Sequence, residues 1–359
     1  MSHGPPSGLQ LAYRGLRMLP GRAAFLTREW LPPDGEVRRL GKPVNLHYQE
    51  WGEGPPVVAL HGLGLESSSF TGLAEGVAAL GLRMLAADLP GFGKTPAPEV
   101  AALTPAILAE PVLDLARRLD RKPLVMGMSL GARVALEAAL LAPDLFRGVV
   151  MLAAPLPRRE HRWILPFARL LSPEIAKRIP VERAWPWLKR QADRLESELE
   201  GQAEHDWFAR ASKRTIYYMS CPATRWAFVS ATRELALDPA FGPKGVWTRL
   251  EQLRIPAAFV WGDKDRFIPM KHVPIVAELV PGAFQIHVPC AGHFANGPHF
   301  RCMEHGAIDA VRLVEAASGR SRRTAKKPEQ PRVAECVAAI DECGSAKIHS
   351  FRRPEEQRT

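Results

Sequence analysis

Little in this sequence points to disulfide, metal or membrane chemistry. Its 359 residues hold five cysteines (Cys221, Cys290, Cys302, Cys336 and Cys343), scattered and odd in number. They form no CxxC pair and no metal-ligand spacing. That pattern argues against a disulfide scaffold and for a reducing compartment. No apolar run approaches the ~18–20 residues a membrane span needs. The N-terminus lacks a signal-peptide pattern, because the apolar stretch 9–26 is broken by Arg14, Arg17, Pro20, Gly21 and Arg22. A cytoplasmic location is expected on these grounds. A basic amphipathic arm lying on a membrane is conceivable there, but a surface helix or loosely packed arm is the preferred reading. Nucleic-acid motifs are also missing. Of the formal charge of +10, part sits after Ser318 in Arg320, Arg322, Arg323, Lys326 and Lys327, and only Phe351 supplies an aromatic there. Such a tail reads as a solvated, disordered end rather than a nucleic-acid interface.

What is present centres on residues 122–139, KPLVMGMSLGARVALEAA. A short apolar strand runs into Gly127-Met128-Ser129-Leu130-Gly131 and then into a helix rich in Ala and Leu. That is Gly-x-Ser-x-Gly between a strand and a helix, the context a nucleophile elbow requires. A serine hydroxyl is a poor nucleophile until a base takes its proton, so it must stand proud of the chain. A tight turn holds it there, and the flanking glycines remove side chains that would collide. The first N–H groups of the following helix then face the place where an oxyanion would form.

Around this stretch, apolar strands alternate with helices. The segment 57–60 is a continuous apolar run ending at His61-Gly62-Leu63-Gly64, and a helix is expected over 66–80. The run 83–87 ends at Asp88-Leu-Pro-Gly-Phe-Gly, with a helix over 105–119, and 148–154 forms the next strand. Alternation stops between 156 and 253, a helical, Arg-rich segment holding Trp163, Trp185, Trp187, Trp207, Trp226 and Trp247. It resumes with strand 255–261, helix 271–279, strand 283–288 and helix 300–317. A hairpin is expected over 37–51, ahead of the first buried strand. Near-continuous apolar strands alternating with helices predict a parallel sheet covered on both faces. Ligands of such sheets sit at the carboxyl ends of the strands, where His61, Asp88 and Ser129 all fall.

The serine needs a base and the base an orienting acid. His293, in a turn after the last strand, is the expected base. His61 is expected to shape the oxyanion loop, while His272, His287, His299 and His305 read as structural. Asp263 and Asp265 both follow strand 255–261 and give the order Ser…Asp…His expected for this fold. Asp88 competes but precedes the serine, and reads better as an anchor for backbone N–H groups. The expected oxyanion donors are the N–H of Leu130 and one from the 61–63 loop, assigned to Leu63.

Taken together, these motifs resemble the α/β-hydrolase superfamily. The matching pieces are His61-Gly62-Leu63-Gly64, Asp88-Leu-Pro-Gly-Phe-Gly93, the serine pentapeptide, Gly262-Asp-Lys-Asp265 with Pro269, and Gly292-His293. The resemblance implies an α/β-hydrolase fold, a mostly parallel sheet flanked by helices with a helical cap inserted after the strand that follows the nucleophile helix. It assigns the acid to Asp265. The implied organisation is an arm over 1–35, core over 36–155 and 254–317, cap over 156–253 and a tail over 318–359. The implied activity is hydrolysis of a small or medium apolar carboxylic ester through a Ser129–His293–Asp265 triad, with no metal or organic cofactor. Ser129 excludes the aspartate-nucleophile mechanism of epoxide hydrolases and dehalogenases. Carbon–carbon hydrolases of similar sequence usually carry Gly-Pro-Gly after His-Gly and Trp after the catalytic histidine. Here those positions hold Gly64-Leu65-Glu66 and Phe294. A carbon–carbon hydrolase, lactonase, thioesterase or acyltransferase on the same triad is the alternative. The expected partner is a small-molecule ester, with oligomeric state left open.

Overall fold

A computed structural model describes residues 45–157, 165–181, 187, 190, 219–265, 267–268, 270–289, 291–293, 298–320 and 347–349. The expected arm, the first half of the hairpin, much of the 156–253 segment and most of the tail lie outside these residues, as do Trp163, Trp185 and Trp207.

Eight strands form one sheet. They are β1 (Tyr48–Trp51), β2 (Pro56–Leu60), β3 (Arg83–Ala87), β4 (Leu124–Met128), β5 (Gly148–Leu152), β6 (Ala257–Gly262), β7 (Phe284–Val288) and β8 (Lys347–His349). Their order is β1-β3-β2-β4-β5-β6-β7-β8. Pairing is parallel from β3 through β7, and only the two edge strands run antiparallel. β2, β5 and β6 are buried at every position, whereas β1 alternates exposed and half-buried. This is the difference between strands covered on two faces and one at an edge. β8 lies in the stretch expected to be an unstructured tail. Its Ile348 pairs with Ile286 of β7, so three residues of that tail close the sheet edge, and the expectation needs amending there.

Side chains of successive strand residues enter opposite layers. Val58 and Leu60 join a core with Leu108 and Val112 of α2 (Pro105–Arg118) and Val134 and Leu136 of α3 (Leu130–Leu141). Val57 and Ala59 join the other, with Leu73 and Val77 of α1 (Thr71–Ala79) and Val311 and Val314 of α9 (Pro298–Arg320). The helix expected over 66–80 begins as a 3-10 turn, Ser67–Phe70, before α1. Local chemistry sets α2: Thr104 caps it by accepting from the Ile107 N–H, Pro105 opens it, and Arg117 and Arg118 face its negative end.

Between β5 and β6 the described chain is helical: α4 (Leu165–Leu170), α5 (Pro173–Arg178), α6 (Pro222–Ala236) and α7 (Val246–Leu250). The fully buried Arg225 of α6 holds this insert together. Its guanidinium donates to the carbonyls of Ala176, Lys177 and Ile179 at the end of α5, and to Met219 and Ser220 before α6. Carbonyls at the end of a helix lack the full set of intrahelical partners, although that of Ala176 also accepts the Ile179 N–H, and a cation there matches the helix dipole. Trp226 donates to Glu174 and Trp247 to the Pro157 carbonyl. α6 also grips the core, because buried Ser230 accepts the Leu103 N–H at 2.9 Å. A Cβ on Gly91 would lie 2.4 Å from the Ala227 methyl. After β6 come α8 (His272–Leu279), β7 and α9.

Candidate active site

Ser129 sits at the turn between β4 and α3 with φ 51° and ψ −118°. A side chain in this region is strained, at a cost of about 1–3 kcal/mol. The neighbouring packing enforces it. A Cβ on Gly127 would fall 2.2 Å from the Gly131 carbonyl, and one on Gly131 would fall 2.0 Å from the Leu60 oxygen. Only glycine lets the start of α3 come this close to β4 and β2. The Ser129 N–H donates to Leu152 of β5 at 2.9 Å, and its carbonyl accepts from Arg133 in the first turn of α3. The hydroxyl is thereby fixed by β2, β4 and β5 together.

Two other strand ends supply its partners. Ser129 Oγ lies 3.0 Å from His293 Nε2, and His293 Nδ1 lies 2.8 Å from Asp265 Oδ2. Asp265 follows β6 and His293 follows β7. The other carboxylate oxygen of Asp265 accepts the N–H groups of Phe267 and Ile268, each at 2.8 Å. A carboxylate accepts only, so Nδ1 of His293 carries the proton and donates. Nε2 is left with its lone pair towards Ser129, the tautomer a general base needs. The Asp265 side chain is 1% exposed and that of His293 9%. The ring of Phe267, which the sequence reading did not single out, packs 5.2 Å from His293 at 45°. Asp263, the competing acid, faces His287 at 3.5 Å.

The loop after β2 lies beside the serine. A Cβ on Gly62 would stand 3.5 Å from the Ser129 Cβ, and the Gly62 carbonyl accepts the Leu65 N–H. His61 is fully buried. Its Nε2 accepts the Leu89 N–H at 2.9 Å, so its Nδ1 carries a proton and donates to the Gly62 carbonyl at 2.8 Å. A neutral imidazole thus ties the loop after β2 to the loop after β3. Leu63 stands in that first loop, and Leu130 is the first residue of α3, where its N–H has no acceptor within the helix.

Asp88 is an anchor. Its carboxylate accepts the N–H of Ser67 at 2.6 Å and of Lys94 at 2.9 Å, and meets His47 Nδ1 at 2.9 Å. Burial acts to raise its pKa, but the opposing causes, led by the N–H donors of Lys94 and Ser67, together hold it below the usual carboxylate range.

The sequence reading missed a buried ionic cluster one turn beyond Ser129. Arg133 donates to Asp238 through Nε at 2.6 Å and Nη2 at 3.3 Å, and to Glu137 at 2.8 Å. Glu137 also receives Arg249 at 2.8 and 2.9 Å. Side-chain exposure is 2% for Arg133, 4% for Glu137, 6% for Asp238 and 17% for Arg249. Burial alone would raise the Glu137 pKa, but Arg133 and Arg249 reverse that and lower it. For Asp238 burial prevails and its pKa is raised despite Arg133. The cluster joins α3 to Asp238, just after α6, and to Arg249 of α7. One signal was available: an Arg–Glu pair at i, i+4 in a helix otherwise built of Ala, Leu, Val and Gly.

No group of three or more His, Cys, Asp or Glu side chains placed to hold a metal occurs among the described residues. No described helix is long and apolar enough to cross a membrane.

An eight-stranded sheet of this order, with serine, aspartate and histidine at the ends of β4, β6 and β7, defines a class. The family model for the alpha/beta hydrolase fold matches residues 55–300, and the chain belongs to that family. Its relatives include two proteins named pimeloyl-[acyl-carrier protein] methyl ester esterase. The one from Aeromonas salmonicida is 26% identical, over 70% of this chain and 92% of its own. The one from Chromobacterium violaceum is 28% identical, over 70% and 91%. Among solved structures, a thermophilic esterase from Thermogutta terrifontis superposes with a TM-score of 0.54 at 21% identity, covering 77% of this chain and 93% of its own. The protein is an α/β-fold hydrolase of the esterase type.

Proposed function

We propose that the chain is a serine carboxylester hydrolase in which Ser129 is the nucleophile, His293 the general base and acid, and Asp265 the residue that orients His293. The observation that carries this reading is the unbroken chain of contacts from Ser129 Oγ to His293 Nε2 at 3.0 Å and from His293 Nδ1 to Asp265 at 2.8 Å. His293 takes the Ser129 proton as Oγ attacks the ester carbonyl. The developing oxyanion is held by the N–H groups of Leu130 and Leu63, each such donor contributing roughly 2.7–4 kcal/mol in the transition state. The imidazolium returns its proton to the leaving alcohol, and an acyl-Ser129 ester remains. Water, activated by His293, attacks that ester and restores the serine. The helical insert serves as a cap that bounds the acyl pocket. The curated relatives are named for hydrolysis of a methyl ester on a carrier-bound acyl chain. An ester of a small or medium apolar acyl chain is the substrate class assigned to this site. Trp226 and Trp247 are buried and spend their indole N–H groups on Glu174 and Pro157, so the tryptophan content of the insert contributes to its core.

The test is hydrolysis of p-nitrophenyl esters of increasing acyl length by the wild type and by Ser129→Ala. Turnover that peaks at one chain length and vanishes in the variant is expected. Near-normal turnover by a folded Ser129→Ala protein would refute the mechanism. Labelling of Ser129 by a fluorophosphonate without turnover of any ester would move the reaction to a carbon–carbon or thioester bond.

A further inference from the structure

The outer surface of α4 and α5 inverts the usual pattern of a surface helix. Large apolar side chains ordinarily turn inward and charges outward. Here Ala168 is buried, while Phe167 is 63% exposed, Leu170 80%, Leu171 43%, Ile175 65% and Ile179 49%. These five are half of the ten large apolar side chains exposed among the described residues. Cations are interleaved with them: Arg169, Lys177 and Arg178 are all exposed. The acid in this stretch, Glu174, is half-buried and accepts from Trp226. Among the described residues of this stretch, the exposed side chains include large apolar groups and three cations but no acid.

We propose that this face docks on an anionic lipid surface. Phe167, Leu170 and Ile175 would enter the boundary between headgroups and acyl chains, with Arg169, Lys177 and Arg178 meeting lipid phosphates. The interleaving favours lipid over a folded protein. Apolar cores of protein interfaces are depleted in lysine, whereas here exposed Lys177 and Arg178 directly precede exposed Ile179 at the end of α5. At a bilayer surface long cationic side chains extend to the phosphates while their neighbours stay in the apolar layer. An excess of cations over acids matches the negative potential of anionic lipid. The formal charge of +10 on the whole chain acts in the same direction. Arg225 fixes the end of α5 to α6, and α6 packs on the loop after β3. Docking would thus hold the insert side of the molecule against the lipid. The proposal does not depend on the reaction assigned to Ser129.

The experiment is flotation of the full chain with vesicles of equimolar phosphatidylcholine and phosphatidylglycerol, or of phosphatidylcholine alone. The comparison variant is Leu170→Glu/Ile175→Glu, whose fold is checked by its thermal midpoint. Both positions are exposed, so that midpoint should stay near the wild-type value. Wild-type protein is expected to float with the anionic vesicles and scarcely with the neutral ones. The variant should bind the anionic vesicles more than about tenfold more weakly, having lost two apolar contacts and gained two repelled charges. Arg169→Gln/Lys177→Gln/Arg178→Gln should reduce the preference for anionic vesicles. Equal flotation of wild type and the glutamate variant would place binding elsewhere in the chain and overturn the proposal. Absence of wild-type binding would also overturn it. If self-association in sedimentation velocity is then abolished by the glutamate variant, the face belongs to a second copy of this chain.

Discussion

Replacing Arg133 with methionine removes a buried guanidinium of similar length and leaves two carboxylates behind it. Glu137 keeps Arg249 at 2.8 Å. Asp238 loses both hydrogen bonds from Arg133 while its side chain remains 6% exposed. A buried carboxylate stripped of its cation typically costs about 3–5 kcal/mol, and that is the loss of stability expected at pH 7. Two checks separate this cause from a generic packing defect. First, Asp238 in the variant has a pKa raised by burial, with Arg133 gone and only the more distant Arg249 left to oppose it. A carboxyl whose folded pKa is raised destabilises the fold as pH climbs above its unfolded pKa, so the deficit should shrink on acidification towards pH 4. Second, Arg133→Met/Asp238→Leu removes the orphaned charge and leaves Glu137–Arg249 intact. It should recover most of the lost stability, because apolar replacement of a buried ion pair is often neutral or better. Urea denaturation followed by tryptophan fluorescence at pH 7 and pH 5 measures all three proteins. A single variant that loses under about 1 kcal/mol, well short of the loss typical of a broken buried pair, or a double variant no more stable than the single one, would refute the reasoning.

Three further outcomes follow from the site. Asp265→Asn keeps an acceptor for the Phe267 and Ile268 N–H groups but presents an amide to His293, favouring the wrong tautomer; kcat should fall by about 10⁴ in steady-state assays, with the thermal midpoint little changed. Ser129→Gly relieves the φ 51° strain and should raise stability by roughly 1 kcal/mol while abolishing turnover, read by denaturation and ester hydrolysis on one preparation. Asp88, with its folded pKa depressed, contributes stability that is complete above the usual carboxylate range and lost as pH falls through the folded value; Asp88→Asn should therefore flatten the acid limb of the stability–pH curve.

Much of this arrangement was legible in the sequence because it is local or ordered along the chain. Apolar runs such as Val57–Leu60 announce strands covered on two faces, and Gly127 and Gly131 announce the close approach that only glycine permits. Ser129, Asp265 and His293 follow three different strands, and the order of those strands brings them together. Asp88 was rightly read as an anchor for backbone N–H groups, although its contact with His47 was not foreseen. The ionic cluster was not legible, since Arg133 meets Asp238 and Glu137 meets Arg249 only through the packing of α3 against the end of the insert, and nothing in their spacing says so. β8 was hidden for a different reason. Lys347–His349 is a three-residue strand in a basic context, and only the unpaired edge of β7 gives it a place.

The insert leaves after β5 and returns at β6, and Leu152 and Val260 are paired neighbours in the sheet. Exit and re-entry therefore lie on neighbouring strands but at opposite ends of them, because β6 begins at Ala257, which pairs with Val149 near the start of β5. Chimeras that exchange this segment with that of another family member should fold, and would carry pocket shape with them as a cassette. The cassette is wider than its helices, however. Asp238 and Arg249 travel with it, while Arg133 and Glu137 stay behind on α3. A graft that does not restore that pairing would leave Arg133 and Glu137 with only each other as partners in the core, beginning one turn from the nucleophile.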